Sequence, residues 1–290
     1  MNRLSPTNDL AFKKVFASEE NKDILCGLIN DFFAVKVEEI TITNPYSIDV
    51  FKNLKSENIN ELRYVLRDVS ASFKTADFTS ELQMKKAMHF DERSHYYPMK
   101  KYCENYNLVG RMKFDKDGTP IKYSSLRPVY ALNILGYNHF DDDEALRIFE
   151  LYDPVRNKKP NKELLKIGYF ELGKTQIETA NQKYWRDFFV SGEIGENTPS
   201  YIKKASEIID FANLGEEERK VAESLEKARA TIQDELAYSY FEGMEKGKTE
   251  GLLEGILKTA RSFLQKGFKP EDIADCTGLS LEQIQQLQSQ

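Results

Sequence analysis

Two acids and an amide, Asp68, Glu81 and Gln83, fall on one side of a stretch in which polar and apolar residues alternate. Successive strand residues point to opposite faces, so Asp68, Ser70 and Ser72 share one face while Val69, Ala71 and Phe73 share the other. In the next run Thr79, Glu81, Gln83 and Lys85 lie together, with Phe78, Leu82 and Met84 opposite. A hairpin turning at residues 74–77 makes the two apolar sides coincide, pairing Phe73 with Phe78 and Val69 with Leu82. That register sets Asp68 opposite Gln83 and diagonal to Glu81, within reach for two carboxylates to share one ion. Oxygen donors of this type hold hard divalent cations. A slip of one residue separates the acids. Thr75-Ala76 is a poor turn pair, so hydrophobic matching sets the register. The pattern also describes the polar face of an ordinary amphipathic hairpin.

Several elements must position such a hairpin. Ser5, Pro6, Thr7, Asn8 and Asp9 read as a helix start, followed by an apolar face of Leu10, Phe12, Val15 and Phe16. A second helix follows Ser18-Glu19-Glu20, with Ile24, Leu25, Leu28, Ile29 and Phe32 at helical spacing. Residues 37–42 are β-rich and end at Asn44-Pro45. Residues 90–106 are helical, and Pro98 within them predicts a kink or a division. Residues 128–137, 146–152 and 166–172 read as strands, the first of them buried. Trp185, Phe188 and Phe189 recur at helical spacing and close the core.

Composition limits the choices. The chain has 290 residues, net charge −6, 40% hydrophobic and 30% charged residues, an ordinary globular mixture. The N-terminus has no apolar signal core, and no apolar run approaches the roughly 18 residues that span a bilayer. A cytoplasmic protein without membrane contact is the expectation. Cys26, Cys103 and Cys276 are odd in number and far apart, which argues against a disulfide framework. Three histidines without a close Cys or His partner give no zinc pattern. Although the chain is acidic, residues 85–127 hold ten Lys or Arg against five Asp or Glu. A local excess of that kind can bind phosphate, and it equally describes a solvated charged surface.

The character changes near residue 200, so the expected domains are 1–200 and an all-helical 201–290. The tail is polar and carries Gly243, Gly247, Gly251 and Gly255 at four-residue intervals. On a helix this spacing clears one face for another helix, which predicts self-association, while Glu245, Lys246, Lys248, Glu250 and Glu254 exclude a membrane span. A loosely ordered linker helix is the alternative. Residues 263–287 read as helix, turn, helix with Pro270 at a helix start. The second of these helices, 281–288, has no Lys or Arg, which suits packing or oligomerisation better than DNA reading.

The motifs, taken in order, resemble a known family. Asn8-Asp9-Leu10-Ala11-Phe12-Lys13-Lys14, Asp68-Val69, Glu81-Leu82-Gln83, Arg93-Ser94 with Tyr97, Pro128-Val129-Tyr130-Ala131-Leu132, Phe170-Glu171-Leu172-Gly173-Lys174 and Trp185-Arg186-Asp187-Phe188 run through nearly the whole chain. Their order and spacing are similar to the recombination-promoting nuclease/putative transposase (Rpn) family of the PD-(D/E)XK nuclease superfamily. The resemblance implies an α/β fold, a PD-(D/E)XK nuclease-like core with a mixed central sheet flanked by helices, followed by the helical C-terminal region. It implies a magnesium-dependent DNA endonuclease of low sequence specificity, related to transposases and promoting recombination, with Mn2+ as a substitute metal. The alternative is an inactive nuclease fold that binds DNA or protein.

By position, Asp68 and Glu81 match the two acids, Gln83 stands where the superfamily carries lysine, and Leu82 lends its main-chain carbonyl to the metal. Arg67 replaces the usual proline before Asp68. Gln83 can hydrogen-bond an attacking water but has no charge, and Lys85, on the same strand face, is a candidate for supplying one. Lys85, Arg93, Lys100 and Lys101 are expected to grip duplex DNA. Asp9 and Lys13, one helical turn apart, are expected to support the cleft. A homodimer through the C-terminal helices completes the expectation.

Overall fold

The computed structural model describes residues 3–48, 69–107, 114, 116–118 and 126–288. Two compact units divide the chain, Met1–Leu225 and Glu226–Gln290.

The first unit opens with α1, Asp9–Phe16, where the Asn8 side chain caps the helix by accepting from Leu10 N at 2.9 Å. A short 3-10 turn at Glu19–Asn21 leads into α2, Lys22–Phe33. Six strands follow among the described residues: β1 Thr41–Ile42, β2 Val69–Ser72, β3 Asp77–Gln83, β4 Val129–Leu135, β5 Leu146–Glu150 and β6 Leu165–Glu171. Between β3 and β4 lies α3, Phe90–Asn107, and after β6 come α4, Ala180–Ser191, and α5, Ser200–Ile208.

The sheet order is β1-β2-β3-β4-β6-β5. β3, β4 and β6 run parallel, while β1, β2 and β5 pair antiparallel at the flanks, so the sheet is mixed. This is the nuclease-like α/β architecture expected from sequence, with helices on both faces. One face carries Phe78, Leu82, Tyr130, Leu132, Ile134 and Phe170 into the main core, to which α1 adds Phe12 and Phe16, α2 Phe32, α4 Trp185, Phe188 and Phe189, and α5 Ile202. All seven residues of β4 are buried, as a central parallel strand requires. The other face lies under α3, where Phe90 joins Leu135, Ile167 and Tyr169 in a smaller core.

The hairpin departs from its expected register by two residues. Ala71 pairs with Phe78 and Val69 with Ser80, and the loop is closed by Phe73 N donating to Ala76 O at 2.9 Å. The cause is Asp77, read from sequence as a turn residue and in fact the first residue of β3. Its fully buried carboxylate accepts from Ser72 Oγ, from Asn105 Nδ2 and from Arg127 at 2.9 Å. Those partners make it cheaper inside the sheet than a free buried charge. A two-residue shift keeps every side chain on its face, so Thr79, Glu81 and Gln83 stay on the polar side with Ser70.

Two other expectations change. Of the kink or division expected at Pro98 the division does not occur: α3 runs through it as a single helix, with Phe90, Ser94, Pro98 and Asn105 buried along its inner face so that packing offsets the missing N–H. Of residues 37–42 only Thr41 and Ile42 form a strand.

The start of the long helix α6, Glu216–Gln265, belongs to this unit. Glu218 accepts from Lys14 at 2.6 Å and from Tyr46 Oη at 2.9 Å. In the second unit the end of α6 meets α7, Pro270–Thr277, and α8, Leu281–Gln288, around Ala260, Ile273, Leu279 and Ile284. Gly278 ends α7 with a φ of 74°, and Ser280 and Gln283 cap α8 reciprocally at 2.9 and 3.2 Å. Among the described residues no helix is long and apolar enough to cross a membrane.

Candidate functional site

β3 carries the chemistry into the space beneath α3. Thr79 and Glu81 point from its polar face, flanked by Ser70 on β2 and by Ala131 and Asn133 on β4, where Asn133 is the in-register neighbour of Glu81. α3 crosses above them. Arg93, Tyr97, Lys100, Lys101 and Glu104 follow at three- and four-residue steps, which puts them on one stripe of the helix. Sheet and stripe enclose a cleft of about 270 Å³.

Glu81 is recessed, 7% exposed, and its Oε1 is in direct contact with an Arg93 terminal nitrogen. The cleft therefore joins three of the basic residues picked from sequence, Arg93, Lys100 and Lys101, to one of the two acids. Lys100 is exposed and Lys101 half-buried, so both reach the opening. Asn133 is 4% exposed and donates to Gly168 O at 3.2 Å. Tyr137 sits close by, and burial, then the carboxylates of Asp91 and Glu81, push its phenol up to about 12.

The remaining candidates fall elsewhere. Asp68 lies outside the described residues, so the expected pairing of Asp68 with Gln83 does too. Leu82 turns its side chain into the main core at 2% exposure, leaving only its main chain on the sheet. Gln83 is buried at the end of β3, and its Nε2 donates to Lys85 O at 2.6 Å. β3 ends at Gln83, so Lys85 is an exposed residue in the bend that follows and not on the strand face assumed for it. Asp9 and Lys13 sit on α1, Lys13 buried, and neither is among the residues that line the cleft.

Asn133 and Asp77 escaped the sequence reading as members of a site, and Tyr97 entered it only within the Arg93-Ser94 motif. The signal for Asn133 was a lone amide in the apolar run Val129–Leu135. For Tyr97 it was the helical interval from Arg93. Asp77 gave none, since an acid after Ala76 looks like turn chemistry.

The donors offered by Glu81, the Leu82 carbonyl and, in sequence, Asp68 are all oxygen, which fits a hard divalent cation. Among the described residues no three His, Cys, Asp or Glu side chains cluster as a metal site. The family model described as PD-(D/E)XK nuclease family transposase matches residues 6–239. The chain belongs to that family. No curated protein and no solved structure matches it. The match agrees with the Rpn-type motifs. It spans the whole sheet, α1 to α5 and the first half of α6, and so covers every element that builds the cleft. PD-(D/E)XK nucleases generally act with divalent metals, in keeping with the oxygen donors of this PD-(D/E)XK sheet.

Proposed function

We propose that the protein is a magnesium-dependent DNA endonuclease of low sequence specificity, acting in DNA recombination, with Asp68, Glu81 and Gln83 as its catalytic set. The observation that carries this reading is the placement of recessed Glu81 on the floor of a cleft whose roof bears Arg93, Lys100 and Lys101. An acid alone on a sheet face is ordinary, whereas an acid under a row of cations is suited to a metal and a phosphate held together.

In the reaction a water oxygen bonds to phosphorus, the bond to the leaving sugar oxygen breaks, one water proton passes to solvent and the leaving oxygen takes up another. Asp68, Glu81 and the Leu82 carbonyl would hold Mg2+, which acidifies bound water and polarises a phosphoryl oxygen. Gln83 orients the water through its amide once it releases the Lys85 carbonyl. Lys85, Lys100 and Lys101 neutralise flanking phosphates, and Asp9 and Lys13 support the fold around the site. Residues 1–225 act as the nuclease body, and the glycine-bearing face of α6 pairs two copies into a homodimer.

Supercoiled plasmid with Mg2+ provides the test. The parent chain nicks it, and Asp68→Ala and Glu81→Gln each lower the rate by at least about a hundredfold. Equal cutting by parent and variants, or none by the parent, removes the enzyme reading.

A second reading has its own support, since Arg93 already neutralises Glu81 and the Gln83 amide is occupied. In that reading the fold binds DNA or a protein without turnover. Calorimetry separates the two, because a non-catalytic site gives no saturable Mg2+ heat that depends on Glu81.

A further inference from the structure

The residue at the superfamily's lysine position is Gln83, and β3 offers no cation to replace it. The strand ends there, and Lys85, two residues on, is exposed in a bend with its carbonyl taken by Gln83 Nε2 at 2.6 Å. Positive charge reaches Glu81 from the opposite wall. Arg93, in the first turn of α3, lays a terminal guanidinium nitrogen directly against Glu81 Oε1. The Arg93 side chain is 31% exposed and that of Glu81 8%, so Arg93 is the member of the pair more open to solvent. Among the described residues its buried Nε has no hydrogen-bond partner, a donor left over after the contact with Glu81.

We infer that Arg93 is a catalytic residue, the cation that holds the reacting phosphate in place of the missing lysine. This rests on the nuclease reading above. As the water oxygen bonds to phosphorus and the bond to the leaving sugar oxygen breaks, negative charge gathers on the two non-bridging oxygens. A guanidinium is always charged and presents planar, paired N–H donors that match such oxygens. Glu81 fixes the guanidinium in the cleft beforehand, so little reorganisation remains when substrate arrives. The roles that one lysine combines are thereby divided: Gln83 orients the water without charge, and Arg93 supplies charge from a different element. Arg93 and Mg2+ then share the Glu81 carboxylate, which makes them competitors in the absence of DNA.

The test compares the parent with Arg93→Gln and Arg93→Lys on plasmid in Mg2+, with melting curves to establish folding and calorimetry with Mg2+ alone. Arg93→Gln is expected to lower kcat by about 10²–10³-fold, the size of one lost transition-state donor, with KM changed by less than about threefold. Arg93→Lys should regain at least about tenfold of that loss. Mg2+ should bind Arg93→Gln at least as tightly as the parent, because a competitor for Glu81 is gone. The inference is overturned if Arg93→Gln cuts within about threefold of the parent, if its loss falls on KM alone, if lysine is no better than glutamine, or if Mg2+ binding disappears. Should Arg93→Gln not fold, Arg93→Met takes its place: a folded variant with kcat lowered by about 10²–10³-fold and KM unchanged supports the role, and parental kinetics or a changed KM alone refutes it. A parent that cuts nothing overturns the nuclease reading as well. A cutting parent matched by Arg93→Gln leaves that reading standing and removes Arg93 from it.

Discussion

Lys174 Nζ lies 2.8 Å from Glu171 Oε2, and the two side chains are 2% and 0% exposed. The pair closes the end of β6 onto the loop after β4, because Glu171 also accepts from the backbone N–H groups of His139 and Phe140. Neither residue reaches the cleft. Removing one buried partner strands the other charge, so Lys174→Ala should cost about 3–5 kcal/mol. Urea unfolding reads that loss. Pairing Lys174→Met with Glu171→Gln, which keeps an acceptor for the His139 and Phe140 N–H groups, should recover most of it, and a Lys174→Ala variant as stable as the parent would contradict the pairing.

Glu218 gives stability a pH dependence. Burial raises its carboxyl, but hydrogen bonds from Lys14, Gly215 N and Tyr46 outweigh burial and hold it below the ordinary 4.5. A carboxyl lowered in the folded state stabilises above its unfolded value and loses that contribution as pH falls through the folded one. Unfolding free energy should therefore fall between about pH 6 and about pH 3 more steeply in the parent than in Glu218→Gln. The variant is the weaker protein near neutrality, and the gap closes in acid. Parallel pH curves for the two proteins would count against the assignment.

Asp77 and Glu81 share a strand face but have different tasks. Asp77 is sealed by Ser72, Asn105 and Arg127, whereas Glu81 borders the cleft. Asp77→Ala should lose about 3 kcal/mol, near the lower end for breaking a buried pair because Arg127 can return to solvent. Asp77→Asn should leave the Mg2+ heat as it is in the parent, and Glu81→Gln should abolish it. Calorimetry on the two variants tests both halves.

On α6, an added Cβ at Gly243, Gly247, Gly251 or Gly255 meets nothing within 4 Å in a single chain. Leucine at Gly247 and Gly251 therefore fits the monomer and raises helix propensity, but it obstructs a second helix on that face. Sedimentation should find the parent as a dimer and the double variant shifted toward monomer with unchanged helix content. A dimer that survives the double substitution places the contact elsewhere.

Alternation and periodicity were readable in residues taken singly. The apolar set Val69, Ala71, Phe78 and Leu82 defined a face of the hairpin, and that face survived a wrong register because strand side chains repeat every two residues. Helical spacing likewise announced α1, α2, α4 and the tail, and an apolar run interrupted only by Asn133 announced β4. The order of motifs along the chain carried the family. These are local properties, fixed by neighbours within a few positions.

Register, and with it the cleft, depended on partners distant in sequence. Asp77 entered β3 because Asn105 and Arg127 arrive from elsewhere to satisfy it, and no local rule foretells that. Arg93 read as one of several cations expected to grip DNA until α3 laid it on Glu81, and Asn133 gained meaning only when parallel pairing set it beside the same acid. The sequence by itself therefore determined which residue types were present and which face each one takes. Tertiary structure decided which of them meet, because the energy of a buried charge depends on what surrounds it and not on its position in the chain.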